Sequence, residues 1–140
     1  MSSNRRNHAN PSDSRRYYDW LDRAEEDMYA AGVLMKEDNC YLTCAFHCQQ
    51  AIEKALKAYI LFKSTRLLDG HNLTWLCRQA IRYDKKFTEW LDESASLNRC
   101  YIETRYPTDI PFNFGYEQMM SAYNMAREMY AFICEEIEGK

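Results

Sequence analysis

Residues 40–64, CYLTCAFHCQQAIEKALKAYILFKS, decide the fold. Ala45, Cys48, Ile52, Ala55, Leu56 and Tyr59 recur at steps of three and four, the spacing that lines one side of an α-helix. The stretch is apolar on other sides too, at Leu42, Phe46 and Ile60, which predicts a helix packed on more than one neighbour. At 1.5 Å per residue such a helix reaches about 37 Å, the depth of a small domain, so it is expected to be the central one.

Upstream, Tyr17, Trp20, Leu21, Ala24, Met28, Ala31 and Leu34 repeat the pattern and predict a first helix over about 16–36. Asp38 and Asn39 supply the turn between the two. Downstream, a loop at 65–71 leads into a short helix carrying Leu73, Leu76, Cys77, Ala80 and Ile81, with Asn72 as its expected cap. A fourth helix is expected to start near Thr88 and to carry Trp90, Leu91, Leu97 and Tyr101. The loop from Pro107 to Pro111 ends it, because proline lacks the N–H that a helix interior needs. The last helix begins near Tyr116, with a stripe of Tyr116, Met119, Met120, Tyr123, Ala126, Tyr130, Ile133 and Ile137 that reads as core. Apart from Gly32, glycine and proline fall between or beyond these segments, and no alternating stretch marks a hairpin. The expected fold is all-α, an antiparallel four- to five-helix bundle over 16–140 behind a polar N-terminal arm at 1–15.

The 140 residues suit one domain, and 46% hydrophobic composition excludes a disordered chain. No apolar run approaches the ~20 residues that cross a bilayer, and the polar N-terminus lacks the apolar core of a signal peptide. A cytoplasmic protein that does not enter the membrane is expected, with its six cysteines reduced. Cys40, Cys44 and Cys48 repeat every four residues beside His47, but a structural zinc site usually has a close Cys-x2-Cys pair. Small buried cysteines on a helix face are the better reading, and neither metal nor cofactor is expected.

A net charge of −3 conceals a strong segregation. Residues 54–86 hold eight basic and two acidic side chains, whereas the stretches on either side are acidic. Local positive charge of this kind attracts phosphates whatever the total. His47, Gln50, Lys54 and Lys57 step along one side of the central helix, and Lys63, Arg66, Arg78, Arg82, Lys85 and Lys86 extend the block. Their ammonium and guanidinium groups suit phosphate oxygens, and neighbouring tyrosine rings suit bases. The competing reading is a solvated or subunit-facing surface, with Glu53 and Lys57 an ordinary pair four residues apart. Replacing Lys54 and Lys57 by Ala is expected to weaken anion binding and barely alter stability, since exposed charges contribute about 0–1 kcal/mol each.

The succession RAEEDMYAAGVLM, CAFHCQQAIEKALKAYILF, GHNL and TRYP, in that order over about 16–138, resembles the HEPN domain family. The resemblance implies a four- or five-helix domain, usually dimeric, associated with nucleotide or RNA binding and often encoded beside a minimal nucleotidyltransferase. It also implies that many members are ribonucleases, using an arginine and a histidine four to six residues apart near the start of the last long helix. Such chemistry needs a group titrating near neutral pH and a fixed cation for the developing phosphate charge. This chain has His8, His47 and His71 and none beyond, so neither Arg99 nor Arg105 has the downstream histidine. The spacing occurs once, between Arg66 and His71, in the loop before the third helix, and makes that pair a weak catalytic candidate. Lys54, Lys57, Lys63, Arg66, Arg105 and Tyr106 are the candidate nucleotide or phosphate ligands. The expected function is a non-catalytic nucleotide- or RNA-binding interaction module, a homodimer acting with a minimal nucleotidyltransferase. The alternative is a metal-independent ribonuclease toxin of a toxin–antitoxin pair.

Overall fold

The computed structural model describes residues 12–105 and 114–139, with side chains for 12–100 and 114–139. Over them the chain forms α1 (Tyr17–Leu34), α2 (Tyr41–Ser64), α3 (Leu73–Ile81), a 3-10 helix (Lys85–Trp90), α4 (Leu91–Arg105) and α5 (Tyr116–Glu138), with no strand among the described residues. The fold is all-α, as the periodicity predicts.

Local chemistry sets the joints. Asn39 turns the chain at φ 68°, a left-handed conformation that asparagine tolerates better than most residues. α2 stops at Thr65, also left-handed at φ 60°, whose N–H still donates to the Leu61 carbonyl at 2.9 Å. Asn72 caps α3 as expected, its side chain accepting from the Trp75 N–H at 3.0 Å. A second cap comes from another helix, for Asn98 of α4 accepts from the Leu73 N–H at 2.8 Å. The fourth helix starts later than Thr88. Asp84 accepts from the Lys86 N–H, and the Phe87 N–H bonds the Asp84 carbonyl, so the chain first winds as a tighter 3-10 turn. That turn sends Phe87 into the core, between Tyr59 and Phe132 with ring centroids 4.5 and 5.0 Å away.

α2 is the centre of the domain and packs against α1, α3, α4 and α5. It runs antiparallel to α1, since Tyr17 at the start of α1 meets Phe62 near the end of α2, and Cys44 donates to the Ala31 carbonyl. α5 lies beside α2 in the same direction: Tyr41 meets Tyr116 at their beginnings, and Tyr59 reaches Phe132 through Phe87 near their ends. Small residues let α1 and α2 approach closely, with Ala24, Ala31, Cys44, Ala45, Cys48, Ala51 and Ala55 fully buried. On α5 the buried set is Met119, Ala122, Ala126, Met129, Ile133 and Ile137, rotated slightly from the expected stripe, which leaves Tyr116 exposed. The apolar residues on the other sides of α2 are largely covered within the chain, as a helix with several neighbours requires; only Leu42 and Phe62 of its large apolar residues remain exposed. No described helix is long and apolar enough to cross a membrane.

Candidate functional site

A polar seam interrupts the apolar packing of α2. His47 and Lys54 lie two helical turns apart on one side of α2, and Asp27 of α1 reaches both. One Asp27 oxygen meets His47 Nδ1 at 2.8 Å and the other accepts from Lys54 Nζ at 2.7 Å. The neighbouring row is Gln49, Glu53 and Lys57, at steps of four. Glu53 Oε1 meets His71 Nδ1 at 2.9 Å, and Oε2 accepts from Lys57 Nζ at 3.0 Å. Gln49 Nε2 donates to the His71 carbonyl at 3.3 Å and lies 3.5 Å from Glu53 Oε1, while its own Oε1 accepts from Gln50 at 2.7 Å. Lys57 Nζ also stands 5.7 Å from the centre of the Trp20 ring.

The seam is deep: Lys57 and Glu53 are 5% and 4% exposed, and Gln49 is completely buried. Burying ions is costly unless each is paired and hydrogen-bonded, and here each is. Each imidazole turns its Nδ1 toward a carboxylate oxygen. The carboxylates thereby set the orientation of both rings.

The candidate ligands of the basic block separate accordingly. Lys57 is not an exposed cation. The i,i+4 partner Glu53 holds it under Trp20 of α1, so the expectation that its loss barely alters stability is corrected. Lys54 is half-buried on Asp27. It lines a cleft of about 550 Å³ with Ser12, Asp13, Ser14, Asp19, Trp20, Asp22 and Arg23, where three carboxylates outnumber two cations and disfavour a phosphate. Lys63 and Arg66, at the end of α2, are exposed, as are Arg78, Arg82 and Lys85. Lys86 is exposed but bonded to Glu136 at 2.8 Å. His71, half-exposed, turns to Glu53. Arg105 ends α4, and its side chain, together with Tyr106, lies outside the described residues. Cys44 and Cys48 are core residues, as their helical spacing suggests.

Sequence reasoning missed Asp27 and Gln49 as organisers of the seam. The signal was present, since Asp27 sits between Ala24 and Ala31 at core register on α1, and Gln49 lies beside Cys48 on the central helix. A polar residue at a core position requires a partner.

These features define an all-helical domain built on one central helix with a buried polar seam. The HEPN domain matches residues 17–137, and the chain belongs to that family. The crystal structure of TT1696 from Thermus thermophilus superposes with a TM-score of 0.74 at 25% identity, covering 87% of this chain and 98% of that one. ST0689, an archaeal HEPN homologue, shares the fold with a TM-score of 0.68 at 21% identity and the same coverages. A relative in Methanocaldococcus jannaschii, named "Putative toxin MJ1304", is 30% identical over 95 residues, which span 63% of this chain and 61% of that protein.

Proposed function

We propose that this domain is a non-catalytic HEPN-type module that binds nucleotide or RNA and pairs as a homodimer with a minimal nucleotidyltransferase as partner. The partner and the pairing are carried over from the family resemblance. The observation that supports binding is the division of the basic block: Lys54 and Lys57 are neutralised by carboxylates, whereas Lys63, Arg66, Arg78, Arg82 and Lys85 stand exposed. The reading as non-catalytic rests on the lack of any histidine after residue 71. Fluorescence anisotropy of a labelled single-stranded RNA, titrated at several salt concentrations, tests binding. Affinity is expected to fall steeply with salt as phosphate contacts release counterions, and flat anisotropy at low salt sinks the proposal. Light scattering tests the homodimer, and a monomer mass at micromolar concentration counts against it. Copurification with a coexpressed nucleotidyltransferase tests the partner.

A second reading, the metal-independent ribonuclease toxin, draws support from the name of the M. jannaschii relative and from the Glu53–His71 contact, a carboxylate-oriented imidazole of the kind that serves general acid–base chemistry. RNA cleavage in the presence of a chelator, abolished by His71→Ala, would establish it.

A further inference from the structure

We propose that the end of the bundle where α1 begins and α2 finishes is a stacking platform for single-stranded nucleic acid. This rests on the reading that the domain binds nucleotide or RNA, and gives that reading a place and a substrate class. Two large rings are exposed there, Tyr18 at 51% and Phe62 at 38%. Tyr17 stands between them, its ring edge-on to both, with centroids 5.4 Å from Tyr18 and 5.1 Å from Phe62. The three rings are therefore one continuous ridge contributed by two helices. Tyr17 has a packing duty, since with Trp20 it covers Leu61 and Leu67. Tyr18 and Phe62 have much less, and exposed apolar area grouped in this way marks a contact surface.

A cation lies beside each exposed ring. Lys63 Nζ lies 5.8 Å from the Phe62 centroid and Arg16 Cζ lies 5.9 Å from that of Tyr18. Arg66 follows just past the end of α2 and is exposed. Arg16 is partly spent on Asp19, 2.8 Å away, so Lys63 and Arg66 are the cations offered to phosphates. Asp84 lies close enough for Lys63 to help hold its carboxyl below the ordinary range, but the Lys86 N–H is the larger cause and engages that carboxyl directly.

Aromatic faces flanked by cations suit a strand whose bases are unstacked and whose backbone runs past the ammonium and guanidinium groups. A duplex keeps its bases stacked on each other and cannot use the rings. Two exposed rings on one ridge also engage more than one base, which favours a strand over a free nucleotide.

The test is anisotropy on the full chain with a fluorescein-labelled 12-nucleotide oligouridylate and a labelled RNA duplex. Phe62→Ala and Tyr18→Ala are each expected to weaken single-strand binding about tenfold, the loss of one base stack, with little effect on the duplex. Phe62→Leu, which keeps apolar bulk without the ring, is expected to weaken it similarly and guards against a packing defect. Lys63→Gln is expected to lower the salt slope by roughly 0.7. Unchanged single-strand affinity in Phe62→Ala and Tyr18→Ala, with a loss in Arg82→Gln at the end of α3, would overturn the platform and leave RNA binding standing. Equal losses on strand and duplex would also overturn it. A change of oligomer mass in Phe62→Ala without a change in RNA affinity would reassign the ridge to a protein contact. A wild-type chain that binds neither RNA would end both the platform and the reading beneath it.

Discussion

Lys57 and Lys63 lie six residues apart on one helix and contribute equally to the net charge, yet they occupy opposite environments. Lys57 is buried, bonded to Glu53 and roofed by Trp20, whereas Lys63 is exposed, with its ammonium near the rings of Tyr59 and Phe62. The six-residue step rotates the side chain by about 240°, from the α1 side of α2 to another. Charge counted along a sequence is thus not charge offered to a ligand. One lysine joins Glu53 of α2 to Trp20 of α1, and the other stands exposed to solvent.

The hardest blow to this contrast is Glu53→Ala. Glu53 serves Lys57, His71 and Gln49, so its removal leaves a buried ammonium without its anion and unties the α2–α3 loop. Breaking one side of a buried ion pair costs about 3–5 kcal/mol, and urea denaturation should show a loss of that size. Lys57→Met is expected to cost less, because Glu53 keeps two partners and the thioether fills the space under Trp20. Equal losses in the two variants would break the view that Glu53 is the hub.

Asp27→Ala comes next. It releases His47 and Lys54 together, but both are partly open to water, with side chains 30% and 26% exposed, and can be resolvated. A loss of about 1.5–3 kcal/mol is expected, the range for hydrogen bonds to a charged group. The double variant Lys54→Ala with Lys57→Ala should then be clearly destabilised. Lys63→Ala supplies the contrast, with a change of about 0.5 kcal/mol or less in the same denaturation series. A Lys63 variant as unstable as a Lys57 variant would erase the distinction.

The helices were legible because each carries a 3.6-residue apolar period long enough to outvote its local propensities, as Ala24, Ala31, Ile52 and Ile133 illustrate. The 3-10 turn was not, since Thr88 and Trp90 fit a helix start equally well, and only the burial of Phe87 between two other rings selects the tighter winding. The site was legible as a list of cations and illegible as a geometry. The spacing of His47, Lys54 and Lys57 on one side of α2 was readable, but which side faces α1 depends on Asp27, 20 residues from His47 and 27 from Lys54 in sequence. The Tyr18–Phe62 ridge was unreadable for the same reason, because it joins the first turn of one helix to the last turn of the next.

The exposed end of the molecule offers the smallest effect and the finest test. Asp19 in the first turn of α1 accepts from the Ser14 hydroxyl at 2.7 Å and from Arg16 Nε at 2.8 Å. The Ser14 bond first and the Arg16 bond second hold its carboxyl below the ordinary aspartate range, and a negative charge there also suits the helix N-terminus. A depressed folded pKa means that the carboxylate's contribution is complete above the unfolded value, near 3.9, and is lost as pH falls through the lower folded value. Wild type and Asp19→Asn should therefore differ slightly and constantly at pH 5–7. The gap should close as pH drops below about 4, and high salt should narrow it at any pH, because the pair is open to water. The Glu53–Lys57 pair, shielded by Trp20 and Gln49, should show no comparable salt response. If the Asp19 gap persisted at pH 2.5, its source would be a packing change in the asparagine variant, and the Asp19 and Glu53–Lys57 sites would differ in burial alone.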